Sequence, residues 1–283
     1  MDEKLISVVI PMYNRMNKIG RALDSVFAQT AVNKIGEIIV VDDGSTDDSV
    51  AVVQNYKASH NSIDIVIITQ SNHGPSYARN KGMSIAKYKY IAFLDSDDEW
   101  LPNKIFEQLK VFEAHTDADF VGGNENNNYM RILTKRIKNL YKAKLSDLCI
   151  KSFPVTPSVI MKKKIFDNIG GFDESMRHYE DCDYFQRICA AGYGYYYIPT
   201  QLVICDQGKN PFGESGLSAN LKQAHIDSII SLKKLKESCS IGIVFYYFLR
   251  VFYFAKYMRR IILSQYQKIK FNKSMAISGK RFG

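Results

Sequence analysis

Apolar residues fall along this chain in two alternating patterns. Short, largely apolar runs at residues 5–10, 37–41, 63–69 and 90–94 read as strands, those at 37–41 and 90–94 as buried ones. Between them apolar residues recur at helical spacing. Ile19, Ala22, Leu23, Val26 and Phe27 form one such stripe, predicting a helix over 18–29. A second helix is expected from Ser45 or Thr46, either of which suits a cap, to about Lys57. A third is expected over 75–86, with Pro75 in its first turn. Strands alternating with helices at this spacing predict a mostly parallel sheet covered on both faces. Pro11 is expected to end the first strand.

The pattern then becomes less regular. A helix is expected over 102–115, a strand over 119–122, a polar loop over 124–128 and a turn over 170–174. Tyr184, Phe185 and Ile188 mark a helix over 180–191. Residues 195–203 read as a strand that Pro199 pushes to a sheet edge. No internal repeat or low-complexity linker divides the chain. The expected organisation is one α/β domain with two functional halves, 1–100 and 101–220, followed by a helical tail over 221–283.

Charge changes the picture of that tail. The chain of 283 residues carries a net charge of +9, but twelve bases stand against one acid, Glu237, from Lys233 onward. The body is therefore slightly acidic, which argues against a nucleic-acid partner for it. Residues 241–255 are apolar and aromatic apart from Gly242 and Arg250. They are too short and too interrupted for a membrane span, which needs about 20 apolar residues. Flanking bases and interleaved aromatics suit a helix lying on an anionic membrane surface. A core or homodimer helix is the competing reading. The five cysteines are scattered and form no CxxC pair, which disfavours a disulfide framework or a structural zinc site. No basic segment leads an apolar one at the start, so a cytoplasmic protein, peripheral on the inner face of the plasma membrane, is expected.

The chemistry concentrates at Asp95-Ser96-Asp97-Asp98, directly after the strand-like run at 90–94. Open α/β sheets place their ligands at the carboxyl ends of strands. Crowded carboxylates repel one another, and a hard divalent cation such as Mg²⁺ or Mn²⁺ reverses that penalty. Taken alone, the stretch would also serve as a polar turn whose Asp98 caps the next helix.

Three patterns stand in order at strand ends: Ser7-Val8-Val9-Ile10-Pro11-Met12-Tyr13-Asn14, Val40-Val41-Asp42-Asp43-Gly44-Ser45-Thr46-Asp47, and Phe93-Leu94-Asp95-Ser96-Asp97-Asp98. Together they resemble family 2 inverting glycosyltransferases of the GT-A fold, over roughly residues 5–208. The resemblance implies an α/β architecture with a Rossmann-like, mostly parallel sheet flanked by helices. Here a C-terminal helical tail, basic and aromatic, lies outside it. The resemblance further implies a nucleotide-sugar donor, UDP-linked by preference, bound by Pro11, Tyr13, Asn14, Asp43, Arg79, Asp95 and Ser96. Asp97 would ligate Mn²⁺ or Mg²⁺. Asp181, in Glu180-Asp181-Cys182-Asp183, takes the position of the catalytic base, and a helix N-terminus is expected to lower its pKa. Gly171, Phe172, His178 and Glu180 match segments near the acceptor, and Ser158 one near the donor sugar. Residues 210–220 read as a loop able to close over the donor. With the membrane-surface tail, similarity implies a lipid-linked glycan acceptor, as in enzymes that build O-antigen or capsule.

Competing readings fit less well. No GxxxxGK[ST] segment exists, and Gly192-Tyr193-Gly194 lacks the third glycine of a dinucleotide site. A sugar-nucleotide nucleotidyltransferase would need a glycine-rich basic loop after the first strand, where Pro11-Met12-Tyr13-Asn14-Arg15 stands instead. A non-catalytic membrane scaffold would have no use for the acid set.

Overall fold

The computed structural model describes residues 3–126, 128–206 and 220–278, with side chains to residue 266. It divides into two compact units, Met1–Met176 with Glu180–Asp206, and Arg177–Tyr179 with Gln207–Gly283.

The first unit is built on a nine-stranded sheet. In chain order its elements are β1 (Ile6–Met12), α1 (Ile19–Phe27), β2 (Ile35–Asp42), α2 (Ser49–Ser59), β3 (Asp64–Thr69), α3 (Pro75–Ile85), β4 (Tyr90–Phe93), β5 (Glu99–Trp100), α4 (Lys104–Ala114) and β6 (Phe120–Glu125). There follow β7 (Arg131–Ile132), β8 (Lys135–Arg136), β9 (Tyr141–Ala143), α5 (Leu145–Ile150), β10 (Ile160–Lys162), α6 (Lys164–Ile169), α7 (Glu180–Ala190) and β11 (Tyr195–Ile204). The strand order is β3-β2-β1-β4-β10-β6-β11-β5, with β9 also paired to β11 and β7–β8 a separate hairpin. β1, β2, β3 and β4 run parallel, as do β6 and β11. β10 is inserted antiparallel between β4 and β6, so all six of these strands point one way.

Both faces of the sheet are covered, for the reason the apolar runs imply. Successive side chains of a strand point to opposite faces. Val8, Ile10, Ile38, Val40 and Ala92 join one core with Leu23 and Val26 of α1, Val53 of α2 and Ile105 of α4. Val9, Ile39, Val41, Ile91 and Phe93 join a second with Ala78 and Met83 of α3 and Tyr184 and Phe185 of α7. On that second face α3 lies unusually close. A Cβ on Gly82 would stand 2.5 Å from Val9 Cγ1 and 3.4 Å from Val41 Cγ2.

Two expectations about proline are corrected. β1 continues through Pro11 to Met12. Leu94 N donates to Val9 O and Asp43 N to Met12 O, so odd-numbered positions of β1 face β4. Pairing with β4 ends at Val9–Phe93, so the missing N–H of Pro11 falls where no ladder remains to be filled. β11 is not an edge strand. β6 lies on one side of it, β9 pairs at Tyr195–Tyr197 on the other, and β5 pairs at Val203–Ile204. Pro199 sits at the register shift between Ile198 and Gln201, in the gap between those two short partners. α2 starts later than expected, at Ser49. Neither Ser45 nor Thr46 caps it, because Ser45 Oγ accepts from Asn14 N instead.

The second unit contains α8 (Leu221–Glu237) and α9 (Ile243–Ser278). Asn220 caps α8 by accepting from Gln223 N. The two helices pack with the His225 ring stacked on Tyr257 at 4.6 Å. On α9 Tyr246, Leu249 and Tyr253 are buried, whereas Val244, Tyr247, Phe248, Val251, Phe254 and Ile262 are exposed. No described helix is long and apolar enough to cross a membrane. Residues 210–219 of the expected closing loop lie outside the described residues, as do the side chains of the bases beyond 266.

Candidate functional site

The carboxyl ends of β1, β2 and β4 converge, and polar side chains lock their loops together. Asn14 adopts a left-handed backbone (φ 50°) just past β1. Its N–H donates to Ser45 Oγ at 2.9 Å, and its Oδ1 accepts from Thr46 N at 2.8 Å. Asn tolerates that conformation better than most residues. Tyr13, just before it, is 44% exposed at the rim, and Pro11 is buried in the strand. Asp43 is buried beyond β2. Its Oδ1 accepts from Gln70 Nε2 (2.8 Å) and His73 N (2.9 Å), and its Oδ2 from Gly74 N (2.7 Å). A carboxylate takes about four donors, so one place stays open. Gln70 Oε1 beside it is buried without a partner.

The acid turn follows β4. Asp98 N donates to Asp95 O at 3.0 Å, which closes the turn, and Ser96 is buried within it. Arg79, on the buried face of α3, donates from Nη2 to Asp95 Oδ1 at 2.6 Å. Its Nη1 lies 3.7 Å from Glu180 Oε1 at the start of α7. Arg79 Nε and Nη1 make no hydrogen bond, although the residue is only 6% exposed. The Phe172 ring lies 5.4 Å from the same guanidinium. Arg79 therefore joins the turn after β4 to the first residue of α7.

Arg15 does a similar thing at Asp97. Its Nε lies 3.3 Å from Asp97 Oδ2, while its Nη1 donates to Tyr13 O and Asn14 O. Arg21 Nη2 donates to Asp97 O at 3.0 Å and its Nε pairs with Glu99 at 2.8 Å. Sequence reasoning singled out neither arginine nor Gln70. The trace available was position, since Arg15 directly follows the Tyr13-Asn14 pair.

Asp98 does not cap a helix. α4 begins six residues later, at Lys104. Asp98 Oδ1 instead accepts from Asp206 N at 2.8 Å, tying the end of β11 to the acid turn. Burial, with Asp95 and then Asp97 nearby, pushes its carboxyl up to about 7. Lys18 pairs with Asp206 across the same corner.

Glu180, Asp181 and Asp183 open α7. Burial first, then the neighbouring charge of Asp181, raises the Glu180 carboxyl to about 7 against the pull of Arg79. Asp181 is also raised, not lowered as its helix position suggests. Burial outweighs the hydrogen bond from Cys182 N (2.6 Å) and the attraction of Arg79, and Asp95 adds repulsion. Asp183 is fully buried and pairs with Arg187 at 2.8 Å.

The loop before α7 is held by Asn80 of α3. Asn80 Oδ1 accepts from Phe172 N and its Nδ2 donates to Phe172 O. Gly171 is required there, because a Cβ would meet Asn80 Oδ1 at 2.0 Å. The Phe172 ring is buried against Phe93 and Tyr184, so it walls the site from below and does not face outward. Ser158 is fully buried, and its Oγ donates to Val155 O, so it lines no open surface. His178 belongs to the second unit, where its N–H donates to Asp227 Oδ2 at 3.1 Å.

No group of three or more His, Cys, Asp or Glu among the described residues could hold a metal ion unaided. What the acid turn offers is a pair of hard oxygen donors, Asp95 and Asp97. Mg²⁺-type sites commonly take one or two carboxylates and complete their shell with water and substrate phosphates. The donor set therefore fits a cation shared with a diphosphate.

Comparison with known proteins agrees with this geometry. Residues 7–170 match the family model described as "Glycosyl transferase family 2". An uncharacterized glycosyltransferase of Rickettsia conorii is 35% identical over 188 residues, which cover 64% of this chain and 30% of that relative. The chain thus spans under a third of that protein's length. Among solved structures, S. aureus TarS 1-349 in complex with UDP-GlcNAc aligns with a TM-score of 0.65 at 18% identity, covering 90% of this chain and 72% of that one. The mannosyltransferase PcManGT of Pyrobaculum calidifontis, in complex with GDP-Man and Mn²⁺, aligns with a TM-score of 0.67 at 15% identity, covering 98% and 81%. At these identities the two structures establish a common GT-A fold.

Proposed function

The chain belongs to glycosyl transferase family 2, and on that premise we propose that it moves a hexose or N-acetylhexosamine from a UDP-sugar to a hydroxyl of a glycan acceptor by single displacement with inversion. The observation that carries this reading is the buried Arg79, 2.6 Å from Asp95 and 3.7 Å from Glu180. It makes one site of the strand-end acids and the helix-start acids, which lie far apart in sequence.

The nucleotide half falls to the loops after β1 and β2. Tyr13 offers a ring face to the base. The open place on Asp43 and the unpartnered Gln70 Oε1 are acceptors suited to a uracil N–H. Asp95 and Ser96 face the ribose and diphosphate. Asp97 would hold Mn²⁺ or Mg²⁺, an ion that when bound neutralises charge on the departing diphosphate. Arg15 and Arg79, each with a buried Nε that makes no hydrogen bond, add positive charge beside it.

The acceptor half falls to α7. Asp181 takes the proton of the acceptor hydroxyl as its oxygen attacks the anomeric carbon. The bond from that carbon to the diphosphate breaks, and the electron pair leaves with the nucleoside diphosphate. A carboxyl raised by burial is a stronger base than an ordinary aspartate, provided it is ionised at the working pH. Arg79 and the Cys182 N–H favour that ionised form. One displacement on an α-linked donor gives a β-glycoside.

The exposed apolar stripe on α9, from Val244 to Ile262, supports a role for the second unit on an anionic membrane surface. A polyprenyl-diphosphate-linked acceptor is consistent with that placement. The direct test is a panel of nucleotide sugars with a lipid-diphosphate acceptor and Mn²⁺. Nucleoside diphosphate release that requires both acceptor and metal supports the reading. Release of pyrophosphate, or of nothing, refutes it.

A further inference from the structure

Between β6 and α5 the chain turns basic in a way that overall charge conceals. Residues 126–146 hold Arg131, Lys135, Arg136, Lys138, Lys142 and Lys144 and no acid. Lys142 is spoken for by Asp117 at 2.5 Å. Arg131, Lys135, Arg136 and Lys138 are exposed, with no carboxylate in salt-bridge range among the described residues. Like charges gathered on a short hairpin repel, and an anion relieves that cost.

Two of these cations border a cavity of about 480 Å³. Arg136 and Lys138 line it together with Asn124, Asn128, Thr200 and Gln201. No carboxylate among the described residues lines it. The Arg136 guanidinium stacks 3.5 Å from the centroid of the Tyr129 ring, another lining residue, which remains 70% exposed. The cavity has a topological cause. β9 covers β11 only at Tyr195–Tyr197 and β5 only at Val203–Ile204, so among the described residues no strand fills that side across Pro199, Thr200 and Gln201. Because β6 and β11 run in the direction of β4, Asn124 lies toward the same carboxyl edge of the sheet as the acid turn.

We propose that this cavity binds a phosphate group carried by the acceptor saccharide. The assignment rests on the transferase reading above and names the acceptor's chemical class. A forked guanidinium and an ammonium at one cavity suit a phosphate. The amides and the threonine hydroxyl that also line it suit the flanking sugar hydroxyls, and a few convergent polar groups in a concave site are what ligand recognition needs. An acceptor held here lies along the edge that carries the acids.

The test is calorimetric titration of the full chain with a soluble glycerol-phosphate oligomer, at low and high salt. An uncharged dextran oligomer and phosphatidylglycerol vesicles serve as parallel arms. The phosphate oligomer is expected to bind with salt-sensitive affinity, and the dextran to bind far more weakly. Arg136→Gln combined with Lys138→Gln is expected to weaken binding by about tenfold or more, with thermal unfolding and UDP binding unchanged. Lys138→Gln alone leaves the Arg136–Tyr129 stack intact and is expected to act in the same direction. Equal affinity of the variants, equal binding of dextran, or binding to vesicles alone would overturn the assignment. Failure of UDP to bind any form would count instead against the transferase reading, on which the phosphate titration does not depend.

Discussion

Arg79 Nη2 donates to Asp95 Oδ1 at 2.6 Å, and through that bond α3 and the turn after β4 hold each other in place. The arginine is nearly buried and the aspartate about a quarter exposed. Truncating either leaves the other charge without its partner in a poorly solvated place. A double-mutant cycle with Arg79→Ala and Asp95→Ala is expected to give a coupling of about 1–3 kcal/mol in denaturant unfolding. Strict additivity would mean that the contact does no mechanical work.

Asp181→Asn preserves shape and removes the carboxylate proposed as the base. Nucleotide affinity is expected to stay within about twofold, while turnover falls by about 10²–10⁴. Loss of UDP affinity would assign Asp181 to the donor side instead.

Asp98 makes a prediction about pH. Its folded pKa is raised to about 7 from an ordinary value near 4, so between those values the folded state binds the proton that the unfolded chain has lost. Its contribution is complete below pH 4 and disappears as pH rises through 7. Asp98→Asn keeps an acceptor for Asp206 N and cannot titrate. The stability advantage of wild type at pH 5 over pH 8 should therefore shrink in the variant, as read by urea midpoints. An unchanged pH slope would show that the carboxyl titrates normally.

Gly171→Ala sets a methyl against Asn80 Oδ1 and disturbs both bonds between Asn80 and Phe172. About 1–3 kcal/mol of destabilisation is expected, with activity falling further because α7 follows this loop. Wild-type stability would show that the loop yields freely.

Val251→Glu places a charge in the exposed apolar stripe of α9, where Val251 is 71% exposed. Folding is expected to survive and sedimentation with anionic vesicles to fall sharply. Undiminished co-sedimentation would remove this helix from any membrane role.

The parts most legible in the sequence were those where one physical demand dominates. Strands buried on both faces are mostly apolar, so β1, β2 and β4 stood out despite the buried Ser7 and Glu37. Acids at strand ends announced the site. The less legible parts depend on what lies alongside. β10 carries two buried residues and a lysine, Lys162, too little for a pattern, yet it joins the two halves of the sheet. Pro11 looked like a strand ender and Pro199 like the mark of an edge strand, but each falls where a neighbour's ladder has stopped. Asp98 resembled a cap because its true partner, Asp206 N, is 108 residues away. The titration of Asp181 was misjudged because helix position is local, whereas burial and the charge of Asp95 are not.

Gly82 follows Arg79 by one helical turn, on the side of α3 that rests against Val9 and Val41. Its missing methyl sets how far the rod stands off the sheet, and so how deep the guanidinium one turn earlier can reach. A bulkier residue would lift that rod and draw the cation outward, though nothing at position 82 takes part in any chemistry. Clearance between two hydrocarbon surfaces thus serves as the gauge that registers one charge against another.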